Sequence, residues 1–504
     1  MNLAVALPIL LPLLLGALSL LAHRRLRLQR WLGVLGTGAL LAAALWLLRC
    51  VAREGVVVLH MGDWQAPFGI TLAADLLGAS MAVLTGLLGL ATAVYSLATT
   101  PRGHEQYGHW PLLHLLLAGV TGAFLTGDIF NLYVWFEVML VASFALLTLG
   151  GERAQMEGAI KYVALNLLSS MIFLSALGIT YGLFGTLNMA DLAAKVAAAD
   201  QPGLLSVLAA MYMVAFGIKA GAFPLFFWLP ASYHTPPVAV SALFAGLLSK
   251  VGVYSLYRVF TLIFTHDVGY THEILLWAAG LTMLTGVLGA LAQTEIRRIV
   301  SFQIISSIGY MLMGLALFTP LALAGGMLYI GQDIVVKITL FLVAGIAFRL
   351  LGSYRLEALG GLYRYRPLLG VLFLIPALSL AGLPPLSGFI AKLAVVRGAI
   401  EEASWGITFV ALLTGLLTLY SIIRIWQQAF WRELPAHATD TGVLRGERRD
   451  PGLWLMYLPV AVLAGLILLV GVYAQPFFGL AEAAAGQLLD PQAYIDAVLG
   501  EARP

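Results

Sequence analysis

The sequence predicts an all-α, polytopic membrane protein with about fourteen transmembrane helices, and three observations carry that expectation. Of 504 residues, 61% are hydrophobic and only 11% charged, with a mean hydropathy of +0.93; a soluble domain carries about 25% charged residues. Apolar runs of about 20 residues, the length that crosses the hydrocarbon core, recur from one end of the chain to the other. The chain also echoes itself at a separation of five such runs. A formal charge of +3 is too small to suggest nucleic acid as a partner. A single cysteine, Cys50, excludes an internal disulfide and any multi-cysteine metal or iron–sulfur site.

Taken in order, the first seven runs fall near 3–21, 31–50, 72–98, 111–127, 130–149, 159–185 and 204–222. The second seven fall near 237–263, 273–292, 299–318, 321–349, 368–397, 405–431 and 453–478. The first run has the length of a secretion signal, but its arginines follow it instead of preceding it, so it reads as a spanning helix. Only Gly127-Asp128 separates spans 4 and 5. Basic residues then set the orientation. Arg24, Arg25, Arg27 and Arg30 lie between spans 1 and 2, and Arg297 and Arg298 between 9 and 10. Arg349, Arg355, Arg364 and Arg366 lie between 11 and 12, and Arg432, Arg445, Arg448 and Arg449 between 13 and 14. The positive-inside rule puts these loops in the cytoplasm, which leaves both termini outside.

The internal echo has an offset of about 161–167 residues. Phe136-Glu137 in span 5 is followed by Phe302-Gln303 in span 10. Ala220 through Leu225 (AGAFPL) in span 7 reappears as Ala381 through Leu386 (AGLPPL) in span 12. Tyr254-Ser255 with Arg258 in span 8 matches Tyr420-Ser421 with Arg424 in span 13. Five is odd, so the two units must cross the membrane in opposite directions: spans 4–8 and 9–13 form an inverted repeat, an architecture of ion-coupled transporters. Pro224 in span 7, and Pro384 and Pro385 in span 12, predict a broken helix in each unit, tolerated at membrane depth only inside protein or along a cavity. The organisation expected is a three-helix segment over 1–110, a first repeat over 111–265, a second over 266–431, and a loop, span 14 and extracellular tail over 432–504.

Charged residues inside such spans are expensive and mark ion or proton paths. Glu137 lies in the middle of span 5 and is expected to partner Lys219 in span 7. An opposite charge favours the ammonium while desolvation opposes it, so a small movement decides whether the proton stays. Lys250 is central in span 8. Asp333 and Lys337 in span 11 are four residues apart on one helical face, an expected intrahelical salt bridge that is also a candidate secondary relay. Lys392 has no carboxylate within a helical turn. His234, after the span 7 break, is a candidate to hand protons between Lys219 and Lys250 near neutral pH. Asp75 reads equally as interfacial or functional. The spacing of His104-Glu105 and His109 is one residue too long for a zinc-protease helix. No phosphate-binding glycine loop supports ATP-driven transport.

Phe130 through Glu137 (FNLYVWFE), Lys219 through Leu225 (KAGAFPL), Trp228 through Pro237, Lys250 through Tyr254 (KVGVY) and the Pro384-to-Lys392 segment together carry a resemblance. Over essentially its whole length the chain resembles the antiporter-like subunits shared by Mrp-type sodium/proton antiporters and respiratory complex I, and most closely their D-type member. The resemblance implies a proton-relay pair in Glu137 and Lys219, a connecting lysine in Lys250 and a terminal lysine in Lys392. Gln332 stands where relatives often carry histidine, so Asp333 and Lys337 are expected to compensate. It also implies a prokaryotic plasma membrane, other membrane subunits as partners, no cofactor, and a secondary transporter rather than an enzyme. The relay residues suit two functions alike: a sodium or potassium/proton antiporter, or a proton-pumping subunit of a redox-driven complex. No sodium cage is evident.

Overall fold

A computed structural model describes residues 3–435, 443–444 and 450–500. Arg445, Arg448 and Arg449, part of the orientation argument, lie outside the described residues. The N-terminal segment holds α1 (Leu3–Leu21), α2 (Leu26–Glu54), a hairpin of β1 (Val57–His60) and β2 (Thr71–Ala74), α3 (Leu76–Thr99) and the short α4 (Arg102–Gln106). The first unit then runs through α5 (His109–Leu125), α6 (Ile129–Thr148), α7 (Arg153–Phe184), α8 (Met189–Ala197), α9 (Pro202–Ala220), α10 (Trp228–Ser232) and α11 (Val238–Leu262). The second has α12 (Val268–Leu291), α13 (Ile296–Ala316), α14 (Pro320–Leu351), α15 (Leu362–Tyr365), α16 (Pro367–Ala381), α17 (Ser387–Glu401) and α18 (Trp405–Ile425), the last prolonged by a π-helical turn to Trp431. The chain closes with α19 (Leu453–Val472), α20 (Ala474–Leu489) and α21 (Gln492–Leu499).

Among the described residues, twelve helices are long and apolar enough to cross a membrane. Spans 4 and 12 correspond to shorter apolar helices, α5 and α16, and span 12 is completed by α17 beyond its break. Two features depart from the sequence expectation. The β1–β2 hairpin occupies the loop before span 3, where the alternation of Val57, Leu59 and Leu72 is too short to register against the surrounding apolar runs. The segment after span 14, read from the sequence only as a tail, is helical and packed: α20 lies against α14 and α3, and α21 against α8 and β1. Gln487 Oε1 accepts the backbone N–H of Leu76 at 3.0 Å, capping the start of α3 from the far end of the chain.

The charged spans sit on the innermost helices. Every residue of α11 is buried, as is nearly all of α13 and α14, so their polar side chains have only protein to meet. Both predicted breaks close in the same way. Gly221 and Gly382 follow α9 and α16 with left-handed φ of 80° and 89°. Each donates its N–H back to the last turn, Gly221 to Gly217 O and Ile218 O, Gly382 to Leu378 O and Ser379 O. The next residue, Ala222 or Leu383, then bonds Gly217 O or Leu378 O, the glycine-dependent helix stop. Cis peptide bonds precede Pro224 and Pro385. At Gly252 a Cβ would stand 2.8 Å from Ala220 Cα, so this glycine lets α11 pass against the broken end of α9.

Candidate functional site

The site begins on α6, whose N-terminus is capped by Asp128 accepting the Asn131 N–H at 2.7 Å. Two turns on, Glu137 points toward α7 and α9. Lys219, in the last turn of α9 and 3% exposed, does not touch it directly. Its Nζ donates to Ser170 Oγ at 3.1 Å, and Ser170 Oγ donates in turn to Glu137 Oε1. The Lys219 ammonium also lies 4.8 Å above the Phe136 ring, where the face of the ring attracts a cation. The expected pair is therefore a three-member chain with a hydroxyl in the middle. A serine among the many small residues of span 6 carries no signal in the sequence, which is why sequence reasoning misses Ser170.

The middle of the row departs from the expectation of a self-contained intrahelical salt bridge. Lys337 Nζ is 3.5 Å from Asp333 Oδ1, whereas Lys250 Nζ, from α11, is 3.0 Å from Asp333 Oδ2, and all three side chains are fully buried. The shorter bond crosses between helices. Asp333 thus stands between two lysines, and one carboxylate cannot neutralise two ammonium groups. Backbone carbonyls take up part of the excess: Lys250 donates to Ala245 O at 2.8 Å and Lys337 to Gln303 O at 2.9 Å. Such a triad, fully buried, holds its extra positive charge at high cost.

Lys392 ends the row. Its Nζ donates to Leu380 O at 2.9 Å and Ala381 O at 3.3 Å, and stands 4.7 Å above the Tyr310 ring. These carbonyls are orphans of the α16 C-terminus, the negative end of that helix dipole. The partner that local sequence failed to provide is thus the break itself. Gly382 makes the approach possible, since a Cβ there would lie 2.8 Å from Lys392 Cδ. Tyr310 and Tyr329 lie 5.2 Å apart between ring centroids with their planes tilted by 32°, and the Tyr329 hydroxyl reaches Ser307 Oγ at 3.4 Å, so polar groups continue from Lys392 toward the Asp333 triad.

His234 is not placed between Lys219 and Lys250. Its Nδ1 bonds Pro230 O at 2.7 Å, and its charged neighbours are Glu295, Arg298 and Arg297. Burial lowers its pKa from the ordinary value, and the loop after the break turns it toward the basic side of the protein. Gln332 also lies off the row, one residue and hence about 100° around α14 from Asp333. Asp75 caps α3 through the Gly78 N–H at 2.8 Å and pairs with Arg258 Nη2 at 2.7 Å, both side chains 3% exposed, a buried ion pair between α3 and α11. Arg424, the repeat mate of Arg258, instead donates to the carbonyls of Leu291 and Gln293. Glu105 binds Arg30 at 2.8 Å, which gives the carboxylate of the His-Glu segment a structural role. Among the described residues no group of three or more His, Cys, Asp or Glu is placed to hold a metal ion.

Residues 126–418 match the family model described as NADH:quinone oxidoreductase/Mrp antiporter, transmembrane. The chain is 44% identical over 501 residues to the D-type subunit of the Na(+)/H(+) antiporter of Alkalihalophilus pseudofirmus, covering 99% of this chain and all of the relative. It is 41% identical to the protein of the same description from Bacillus subtilis, over 99% of this chain and all of the relative. Among solved structures it is similar to a chain of the Mrp complex from Dietzia sp., with a TM-score of 0.90 and 34% identity over 99% of this chain and all of that one. A chain of respiratory complex I from Thermus thermophilus matches with a TM-score of 0.82 and 27% identity, over 96% of this chain and 99% of that one.

Proposed function

The chain belongs to the NADH:quinone oxidoreductase/Mrp antiporter transmembrane family, and from that membership we propose that it is the D-type, proton-translocating subunit of a multisubunit monovalent-cation/proton antiporter in a prokaryotic plasma membrane. Its partners are the other membrane subunits of that complex, and its chemistry is secondary transport. The observation that carries the reading is the buried row itself. Glu137, Ser170 and Lys219 form one polar chain, Lys250, Asp333 and Lys337 a second, and Lys392 closes the series against the α16 break.

A proton moves along such a row when an ammonium loses one partner and gains another. Ser170 both accepts from Lys219 and donates to Glu137, so a reversal of its hydroxyl transfers a proton between them without a change of backbone. Lys250 and Lys337 share one carboxylate, so a charge arriving at either lysine disfavours charge on the other. This coupling lets an event in one half of the protein be felt in the other. Spans 4–8 and 9–13 act as inverted half-channels, supported by the identical hydrogen-bond closures at the two breaks, with the basic loops in the cytoplasm and both termini outside.

A second reading, a proton-pumping subunit of a redox-driven complex, is favoured by the complex I likeness at 27% identity; the full-length relatives above 40% are described as antiporter subunits. The test is growth of an antiporter-deficient host under sodium and under potassium stress, with the complete set of neighbouring subunit genes supplied. Rescue with proton-coupled cation efflux supports the antiporter. Failure of both, with redox subunits encoded alongside, supports the alternative.

A further inference from the structure

A cavity of about 320 Å³ lies between α2, α3, α14, α19 and α20, away from the lysine row. That is about twice the volume of an engineered apolar cavity that binds benzene, and within the range of small-molecule sites. Leu77, Met81, Met327, Ile467 and Leu480 are among its walls, and no charged side chain lines it. On α20, Phe477, Leu480, Ala481 and Ala484 face it at helical spacing, so the amphipathic helix that folds back on α14 and α3 forms one side. Leu45, 44% exposed on α2, stands at its outer edge, where a spanning helix faces the bilayer.

One side chain does not fit an empty apolar cleft. Gln332 lines the cavity, is 5% exposed, and neither its Oε1 nor its Nε2 has a hydrogen-bond partner. A buried amide with both ends unmet is costly and rare in native proteins. A single water bridging the two ends of the amide would leave the apolar walls without contacts. The other polar groups lining this cavity are Ser80 and Ser387, and Ser387 is within 3.1 Å of the Ser379 hydroxyl. Adjacent Asp333 is occupied by Lys250 and Lys337.

We propose that this cavity is a binding site for a neutral lipophile entering from the bilayer, an alkyl chain ending in a hydroxyl group that exchanges hydrogen bonds with the Gln332 amide. The alkyl body occupies the apolar walls. The hydroxyl donates to Oε1 and accepts from Nε2, so one group satisfies both ends. An ammonium or carboxylate headgroup is excluded, since nothing in the walls offsets a charge. The inference is independent of the transport reading.

The test uses membranes carrying the assembled complex and two matched photoreactive probes: a medium-chain alkanol bearing a diazirine, and the corresponding alkane. The expected result is labelling of peptides containing Met81, Met327 or Leu480. The alkanol should reach half-saturation at a concentration about fivefold to 100-fold lower than the alkane, the value of two hydrogen bonds. Gln332→Leu should bring that preference to about unity while alkane labelling persists. Ala484→Phe, which places a ring in the cavity from the α20 side, should weaken labelling by both. Equal preference in the wild-type protein and Gln332→Leu would overturn the proposal in favour of a plain acyl-chain groove. Labelling seen only in the separated subunit would overturn it in favour of a partner helix seated there, and absence of labelling in both would mean that no such ligand binds.

Discussion

Replacing Asp333 by asparagine removes the one anion from a triad of fully buried charges while keeping its size. In the wild-type protein the carboxylate sits 3.0 Å from Lys250 Nζ and 3.5 Å from Lys337 Nζ. At an effective dielectric of about 20, each contact represents a gross attraction of about 5 kcal/mol, most of it offset by the cost of taking the ions from water. What the variant loses is better judged from buried pairs broken on one side, about 3–5 kcal/mol. The amide leaves two ammonium groups facing one another with only the Ala245 and Gln303 carbonyls to compensate. The expected outcome is a lowered thermal midpoint in detergent and a loss of antiport of at least about 100-fold, read as cation-induced collapse of a pH gradient in everted vesicles. Adding Lys337→Met should recover most of the stability, because the second charge is gone, yet none of the transport. Wild-type antiport in Asp333→Asn would refute the reasoning, and so would an additive double variant, since contacting groups in one network must couple.

Glu137→Gln and Lys219→Ala should each abolish antiport while the protein still inserts and assembles; normal proton-coupled efflux in either would break the assignment of the first chain. Ser170→Ala should slow transport about tenfold or more with both charged residues intact, and an unchanged rate would mean that the hydroxyl is a bystander. Lys392→Arg should assemble and fail to transport, because arginine keeps its proton; transport at the wild-type rate would show that deprotonation at this position is not required. A cysteine at Gly500, on a Cys50→Ser background, should react with a membrane-impermeant thiol reagent in intact cells lacking an outer-membrane barrier, whereas labelling only after lysis would invert the proposed orientation.

The spans and the two breaks are legible in the sequence because each rests on a one-dimensional signal. An apolar run of membrane length needs no knowledge of neighbours, and Gly221 with Pro224, or Gly382 with Pro384 and Pro385, specify a helix stop locally. The charged residues are legible for the same reason, since lysines in apolar runs stand out wherever the helices pack. Their partners are not. Pairing of Asp333 with Lys250 as well as Lys337 depends on how α11 and α14 face each other, and the intrahelical spacing suggests only the longer of the two contacts. The interposed Ser170 and the α16 carbonyls under Lys392 are a small side chain and main-chain atoms, types that carry no pattern. His234 owes its expected role to its place in sequence, four residues after Pro230, while the actual turn carries it toward Arg297 and Glu295. The α20–α21 segment escapes notice because its apolar face is short and follows a spanning helix without a break in hydropathy.

The bond from Gln487 to the Leu76 amide joins residues 411 positions apart. During synthesis α3 enters the membrane long before Gln487 exists. Asp75 caps α3 locally through Oδ1, while its Oδ2 waits for Arg258 on α11. The Leu76 amide at the start of α3 therefore gains its partner only when the chain is nearly complete, and the last turn of α20 supplies it. For quality control this is a checkpoint written into the architecture. A chain cut short before residue 487 would carry all its spans yet leave the Leu76 amide without its partner beside a face of α3 and α14 that α20 should cover.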